Sequence, residues 1–340
     1  MLHTLHGHTS PRCPVTKPKV LSTRPLFPEA RKILDAHFDM EYWQPPQRPR
    51  AELLKGVADR DGLVCLLTEK VNQELLDAAP TLRVAATVSV GYDNIDVDAC
   101  TRRKVVATNT PGVLDDTTAD FAWTLIMAIG RRLIEGDNWM RSGTWPGWDL
   151  DQLLGGDIWG KTLGIIGFGR IGRGVARRAG GFNMRILYSD AVRAPAEAEK
   201  ELHAQFVDHD TLFREADFIT VHVPLMPETR HLISQENLGK MKPTAYLVNT
   251  SRGPVVDEAA LVAALEAKKI AGAALDVYEN EPKAHPGLLQ RKDVILTPHI
   301  ASASIETRTK MAVMAANNVA AFFEGRRPPN AINADALGLK

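Results

Sequence analysis

The sequence predicts an α/β protein made of two doubly wound parallel-sheet domains. Three observations carry this prediction. Short apolar runs alternate with helical patterns along nearly the whole chain, the alternation that builds a parallel sheet with helices on both faces. The runs are close to continuous Val, Ile, Leu and Ala, as in Leu163 to Ile166 and Ala273 to Val277, which suits strands buried on both faces. At 340 residues the chain exceeds one ordinary domain. A chain of that size buries roughly three quarters of the surface its unfolded form exposes, enough for two cores.

Residues 1–18 are expected to be a disordered tail: the stretch is polar, holds Pro11 and Pro14, and lacks periodicity. Strands are predicted at Val20 to Ser22, Gly62 to Leu67, Arg83 to Val88 and Val105 to Asn109. Helices are predicted at Pro28 to Phe38, with proline in the first turn, and at Asn72 to Ala79. A long helix follows from Asp116, read as its N-cap, to Arg132, and then a stretch rich in tryptophan: Trp139, Trp145, Trp148 and Trp159. A second alternating series has strands at Leu163 to Gly167, Arg185 to Tyr188, Phe218 to Val223, Tyr246 to Asn249, Ala273 to Val277 and Val294 to Thr297. The last helix, about Ile305 to Glu324, repeats apolar residues at helical spacing and stops at Gly325. It lies beyond the last strand of the second series and could return to the first domain. The expected division is 19–115 with 300–335 as one discontinuous domain and 116–299 as the other.

Composition narrows the function classes. Lys plus Arg number 41 and Asp plus Glu number 41, so the formal net charge is zero, without the basic excess of a nucleic-acid binder. The local cluster Arg170, Arg173, Arg177, Arg178 reads at its distal end as a solvated helix face. Cys13, Cys65 and Cys100 are odd in number and show no CxxC spacing, so neither a disulfide framework nor a zinc site is expected. That suits a reducing cytoplasm. No apolar run approaches the ~18 residues of a membrane span, and no secretory pattern opens the chain. His3, His6 and His8 read as part of a loose polar tail, and no metal is expected.

The chemistry begins at Gly167-Phe168-Gly169-Arg170-Ile171-Gly172. Alone, G-x-G-x-x-G is weak, but here an apolar strand leads in and a helical pattern follows. The first glycine permits the tight turn, the second lets the backbone approach a pyrophosphate, and the third lets helix pack on strand. The pyrophosphate would rest on the N–H groups of the helix start. Asp190 ends the next strand near the expected ~20-residue offset, where a carboxylate can bind ribose hydroxyls and repel a 2′-phosphate. NAD(H) is therefore favoured. NADP(H) stays open because Arg193 stands close enough in sequence to hold that phosphate.

Three polar residues downstream suggest what is done with the cofactor. Arg252, in Asn249-Thr250-Ser251-Arg252-Gly253, follows a buried strand, where ligands bind in doubly wound sheets. Its forked, permanently charged guanidinium suits a substrate carboxylate. His299, in Thr297-Pro298-His299, can supply a proton to a carbonyl oxygen. Glu281, in Glu279-Asn280-Glu281-Pro282, can orient that imidazole and favour its protonated form. No G-x-S-x-G elbow marks a hydrolase.

With these motifs in order, the chain resembles the D-2-hydroxyacid dehydrogenase family over about residues 19–330. The matching stretches also include Ser89 to Asp96, His222 to Leu225, Met241 to Pro243 and Ala274 to Val277. The resemblance implies a Rossmann cofactor domain inserted in a flavodoxin-like substrate domain, with Arg252, Glu281 and His299 catalytic. It implies substrate contacts from the Val90 and Gly91 N–H groups. Cofactor contacts are implied for Thr118, Val223, Pro224, Thr250, Asp276 and Ala301, besides Gly167, Gly169, Arg170, Ile171, Gly172 and Asp190. It implies a homodimer built on the long helix and the Trp-rich loop. The branch is similar to glyoxylate/hydroxypyruvate reductases, grouped with 2-ketogluconate reductases, in which a partner indole reaches the pocket. Trp148 is the candidate here, with a plain interface or core role as its alternative. Leu66, Leu67, Val90 and Trp148 would set pocket volume. Two departures count against relatives: Glu281 stands where formate dehydrogenases have Gln, and Val90 where phosphite dehydrogenases have Lys. The expected reaction is NAD(P)H-dependent reduction of small 2-oxo acids. Oxidation of phosphite or of other 2-hydroxy acids is one alternative, and a corepressor-like dinucleotide-sensing binding protein is another.

Overall fold

A computed structural model describes residues 17–339. The expectations for Cys13, for His3, His6 and His8, and for nearly all of the tail lie outside the described residues. The chain divides into two compact units, Met1–Pro111 with Thr309–Lys340, and Gly112–Arg308.

The first unit carries strands β1 (Lys19–Ser22), β2 (Asp39–Tyr42), β3 (Gly62–Cys65), β4 (Val84–Thr87) and β5 (Val106–Thr108). All neighbours pair in parallel, in the order β2-β1-β3-β4-β5, which is the flavodoxin-like order. Side chains alternate across a strand, so β3 feeds two cores. Leu63 and Cys65 join Leu75, Leu76 and Ala99 on one face. Val64 joins Val20, Leu34, Ala315, Ala316 and Val319 on the other. The last three lie on helix Ile305–Phe323, so this late helix completes the core begun by the first strands.

The second unit carries β6 (Thr162–Ile166), β7 (Arg185–Ser189), β8 (Ala204–Phe206), β9 (Phe218–Val221), β10 (Tyr246–Asn249), β11 (Gly272–Leu275) and β12 (Val294–Leu296). They form one parallel sheet in the order β12-β11-β10-β9-β6-β7-β8. This is the Rossmann order with one strand added at an edge. Tyr188, Phe213 and Phe218 are among its fully buried side chains, each stabilising the fold by roughly 1.5–3 kcal/mol through burial. Register brings the strand ends level. Ile166 is level with Ser189 and with Val221, Asn249 with Val221 and Leu275, and Leu275 with Leu296. The residues just after six strands therefore emerge along one edge of the sheet.

Several elements differ from the sequence reading. Strands β2 and β8 were not expected, because their residues are mostly exposed or half-buried and show no apolar run; both lie at sheet edges. Predicted strands ended too late where apolar residues leave the ladder: Leu66 and Leu67 follow β3 as half-buried loop residues. Asp116 is not an N-cap. The helix is Asp115–Gly130, with Leu114 at its cap position and both acids in the first turn, where their charge meets the positive end of the helix dipole. The Trp-rich stretch is not all loop, since Trp139 lies in helix Leu133–Arg141. Among the described residues, no helix is long and apolar enough to cross a membrane.

Candidate active site

The glycine loop leaves β6 between β7 and β9, where the strand order reverses, the place at which ligands bind in doubly wound sheets. Gly167 adopts φ +92°, a conformation that disfavours any side chain. A Cβ there would also fall 2.7 Å from the His222 carbonyl. Gly169 has nothing within 4 Å of its would-be Cβ, so space remains before the start of helix Arg170–Gly180. Gly172 lies in the first turn, against the Gly167 carbonyl. Asp190 Oδ2 accepts the Phe168 N–H at 2.6 Å. The acid predicted for the ribose thus stands directly at the loop. Thr250 adds a buried hydroxyl without a hydrogen-bond partner on the same sheet edge. Open space at Gly169 beside helix N–H groups, an acid at the loop and an unsatisfied hydroxyl fit a dinucleotide.

Arg170 and Arg193 are both engaged. Arg170 pairs with Asp115 at 3.1 Å. Arg193 makes two hydrogen bonds of 2.9 Å to Glu199, and those bonds, with one from the Tyr188 hydroxyl, hold the Glu199 carboxyl down at about 2. Arg178 pairs with Asp120. The arginine face expected to be solvated is in part an ion-paired seam against helix Asp115–Gly130.

Arg252, Glu281 and His299 follow β10, β11 and β12 in turn. Asn249 shapes the first turn: its Oδ1 accepts the Ser251 N–H at 3.0 Å and its Nδ2 donates to the Arg252 carbonyl at 2.9 Å. His299 Nδ1 lies 3.0 Å from Glu281 Oε2, while Glu281 Oε1 accepts the Tyr278 N–H at 3.2 Å. Burial pushes the Glu281 carboxyl up. The His299 hydrogen bond and charge, the Tyr278 N–H and the Arg252 charge outweigh it and hold the group below the ordinary carboxylate value. An ionised Glu281 accepts from Nδ1, which leaves Nε2 as the nitrogen open to other partners.

His299 has φ +55°, a backbone state that costs of order 1–3 kcal/mol for a non-glycine residue. Asp276 holds it there. The Asp276 carbonyl accepts the His299 N–H at 2.9 Å. Its carboxylate accepts the Thr297 hydroxyl, the Ile300 N–H and the Ala301 N–H at 2.7–2.8 Å. Asp276, expected as a cofactor contact, is fully buried, and every contact of its carboxylate just described goes to the His299 turn. Sequence reasoning missed this, and missed Asn249 as a turn builder. The available signal was a polar residue at the end of an apolar strand.

The remaining expected residues are spread over both units. Ile171, Val223 and Pro224 are half-buried or exposed beside the loop, and Thr118 and Ala301 are buried. Trp148 is 77% exposed, and Trp159, Leu150, Leu133 and Met140 are exposed as well. In the first unit, Leu67 and Val90–Gly91 lie in loops after β3 and β4. Buried Glu69 ties the Leu67 loop by accepting the Leu66 N–H at 2.7 Å, and Asn109 Nδ2 donates to the Val90 carbonyl at 2.7 Å.

Comparison with known proteins agrees with this fold. Residues 123–301 match the family model described as D-isomer specific 2-hydroxyacid dehydrogenase, NAD binding domain. The chain is 49% identical over 326 residues to a glyoxylate reductase of Thermococcus litoralis, covering 94% of this chain and 98% of that one. A crystal structure of a Thermus thermophilus protein superposes with a TM-score of 0.87 at 40% identity, covering 92% of this chain and 99% of the other. An NADPH-dependent glyoxylate/hydroxypyruvate reductase of Sinorhizobium meliloti, crystallised with NADP and malonate, gives a TM-score of 0.82 at 33% identity, covering 93% and 97%.

Proposed function

Because the chain belongs to the D-isomer-specific 2-hydroxyacid dehydrogenase family, we propose that it reduces small 2-oxo acids, glyoxylate or hydroxypyruvate first, to the D-2-hydroxy acids. It is an oxidoreductase that uses a nicotinamide dinucleotide. The observation that carries the proposal is the 3.0 Å His299–Glu281 pair, with the Arg252 charge acting on the same carboxylate.

A dihydronicotinamide cofactor held at the glycine loop Gly167–Gly172 and Asp190 would supply the hydride for the carbonyl carbon. Arg252 holds the substrate carboxylate and draws electron density toward the carbonyl oxygen. His299 gives its Nε2 proton to that oxygen as the carbon is reduced, and Glu281 orients the imidazole through Nδ1. One hydride and one proton enter, and the products are the hydroxy acid and the oxidised cofactor.

Residues 116–299 are assigned to the cofactor, and 19–115 with 300–335 to the substrate. Thr118, Gly167, Gly169, Arg170, Ile171, Gly172, Asp190, Val223, Pro224, Thr250, Asp276 and Ala301 are assigned to its contacts. Val90, Gly91 and Leu67 are assigned to the substrate. NAD(H) is the preferred form, because Asp190 stands at the loop and Arg193 is held by Glu199 rather than free for a 2′-phosphate. The exposure of five large apolar side chains between Leu133 and Trp159 (Leu133, Met140, Trp148, Leu150 and Trp159) supports a homodimer through this region. Trp148 is assigned to the partner's pocket.

The test is oxidation of NADH and NADPH by purified protein with a panel of 2-oxo acids, followed at the nicotinamide absorbance. Fast oxidation of NADH by glyoxylate or hydroxypyruvate is the expected result. Activity with NADPH alone would overturn the cofactor preference but not the reaction. No oxidation with any acid would overturn the reaction.

A further inference from the structure

We propose that Glu258 is the positioning residue for Glu281: it clamps both ends of the loop that carries the acid and so sets the His299–Glu281 distance. The inference rests on the reading of Glu281 and His299 given above. Glu258 opens helix Glu258–Glu266, and Asp257 caps that helix by accepting the Ala260 N–H. The capping is thus done by the neighbour, which leaves the Glu258 side chain to serve the loop. It is only 4% exposed. A carboxylate buried to that degree is costly unless hydrogen-bonded. Its partners are informative: Oε1 accepts the Glu279 N–H at 2.6 Å, and Oε2 accepts the His285 N–H at 2.8 Å.

Those two N–H groups bracket Glu281. The loop between them turns back on itself, with the Lys283 N–H donating to the Asn280 carbonyl at 3.0 Å. One rigid carboxylate bridging residues 279 and 285 fixes the span of the turn from both sides. A second tether acts on the same loop from outside, where Glu279 Oε1 lies 2.6 Å from His231 Nε2 and 3.6 Å from Arg230. That pair is more weakly coupled, because His231 is 37% and Arg230 55% exposed and water competes. The Glu258 bonds are charge-assisted and shielded from water, the condition under which such bonds are strongest. Misplacing a catalytic group by about 1 Å can lower turnover about 10²-fold, so a loop holding the proton donor's partner needs a clamp of this kind.

The experiment is a double-variant cycle on the full chain, with NADH and glyoxylate as probes. Glu258→Gln keeps the side chain's shape but places an amide N–H against one of the two backbone donors. We expect kcat to fall about 10- to 100-fold, with the Kd for NADH within about twofold because the glycine loop is untouched. In a Glu281→Gln background the same change should have an effect of less than about twofold, since a residue acting through Glu281 has nothing left to position. An equal loss in both backgrounds, or an unchanged kcat, would overturn the proposal. Amide hydrogen exchange at Glu279 and His285 separates this from failure of the underlying reading. If Glu281→Gln alone leaves turnover intact, the catalytic role of Glu281 falls. Faster exchange in Glu258→Gln would then still support the clamp, and unchanged exchange would overturn it.

Discussion

His299 and Glu281 meet at 3.0 Å although they stand 18 positions apart in the chain, and each is delivered by its own strand end and its own buried carboxylate. Asp276 holds the turn of His299 through three hydrogen bonds that its carboxylate accepts. Glu258 holds the loop of Glu281 through two. The proposed proton donor and its orienting acid are thus supported by separate elements at one sheet edge.

From this arrangement, His299→Ala should lower turnover by roughly 10²–10⁴-fold, the usual worth of a positioned acid. The Kd for NADH should change little, because the glycine loop and Asp190 lie on other strands. Steady-state rates together with a fluorescence titration of NADH check both halves. Unchanged turnover would remove His299 from the chemistry.

Cofactor choice should turn on two acids. Asp190→Ser keeps an acceptor near the Phe168 N–H but removes the charge that repels a 2′-phosphate. Glu199→Gln loosens the pair that holds Arg193. Combined, they should raise the ratio of kcat/KM for NADPH over NADH by about tenfold or more, a difference of about 1.4 kcal/mol. Initial rates with both cofactors measure it, and a ratio that does not move would exclude Asp190 as the selecting group.

Acid should weaken the second unit through His222. Burial pushes its imidazole down from 6.5 to about 3, and its Nε2 lies 2.9 Å from the Thr220 hydroxyl. The folded state refuses a proton that the unfolded chain binds below pH 6.5, so this contribution to stability is full above that value. It declines as pH falls toward 3, by at most about 1.4 kcal/mol per pH unit. His222→Asn should unfold with one proton fewer taken up in this window. Denaturation midpoints at pH 7 and pH 5 should then lie closer together for the variant than for the parent.

How much of this was legible in advance differs by element. Buried strands announce themselves because both faces demand apolar residues, and β10, Tyr246–Asn249, was read to the residue. The edge strand β2 escaped because its residues are mostly half-exposed and lack the pattern. The glycine loop was legible because its backbone geometry restricts the residue type. Arg252, Glu281 and His299 were legible because each follows an apolar run.

The sequence by itself determined the fold class, the family and the candidate residues, since these depend on periodicity, on backbone demands at Gly167 and on side-chain chemistry, all local properties. Only the tertiary structure decided who supports whom. Asp276 turned out to brace the His299 turn, Glu258 to clamp the Glu281 loop, and Arg193 to be held by Glu199. These partners lie between 6 and 27 residues apart, and no local pattern relates them. A carboxylate's role depends on which donors face it after folding, and strand register and loop closure settle that.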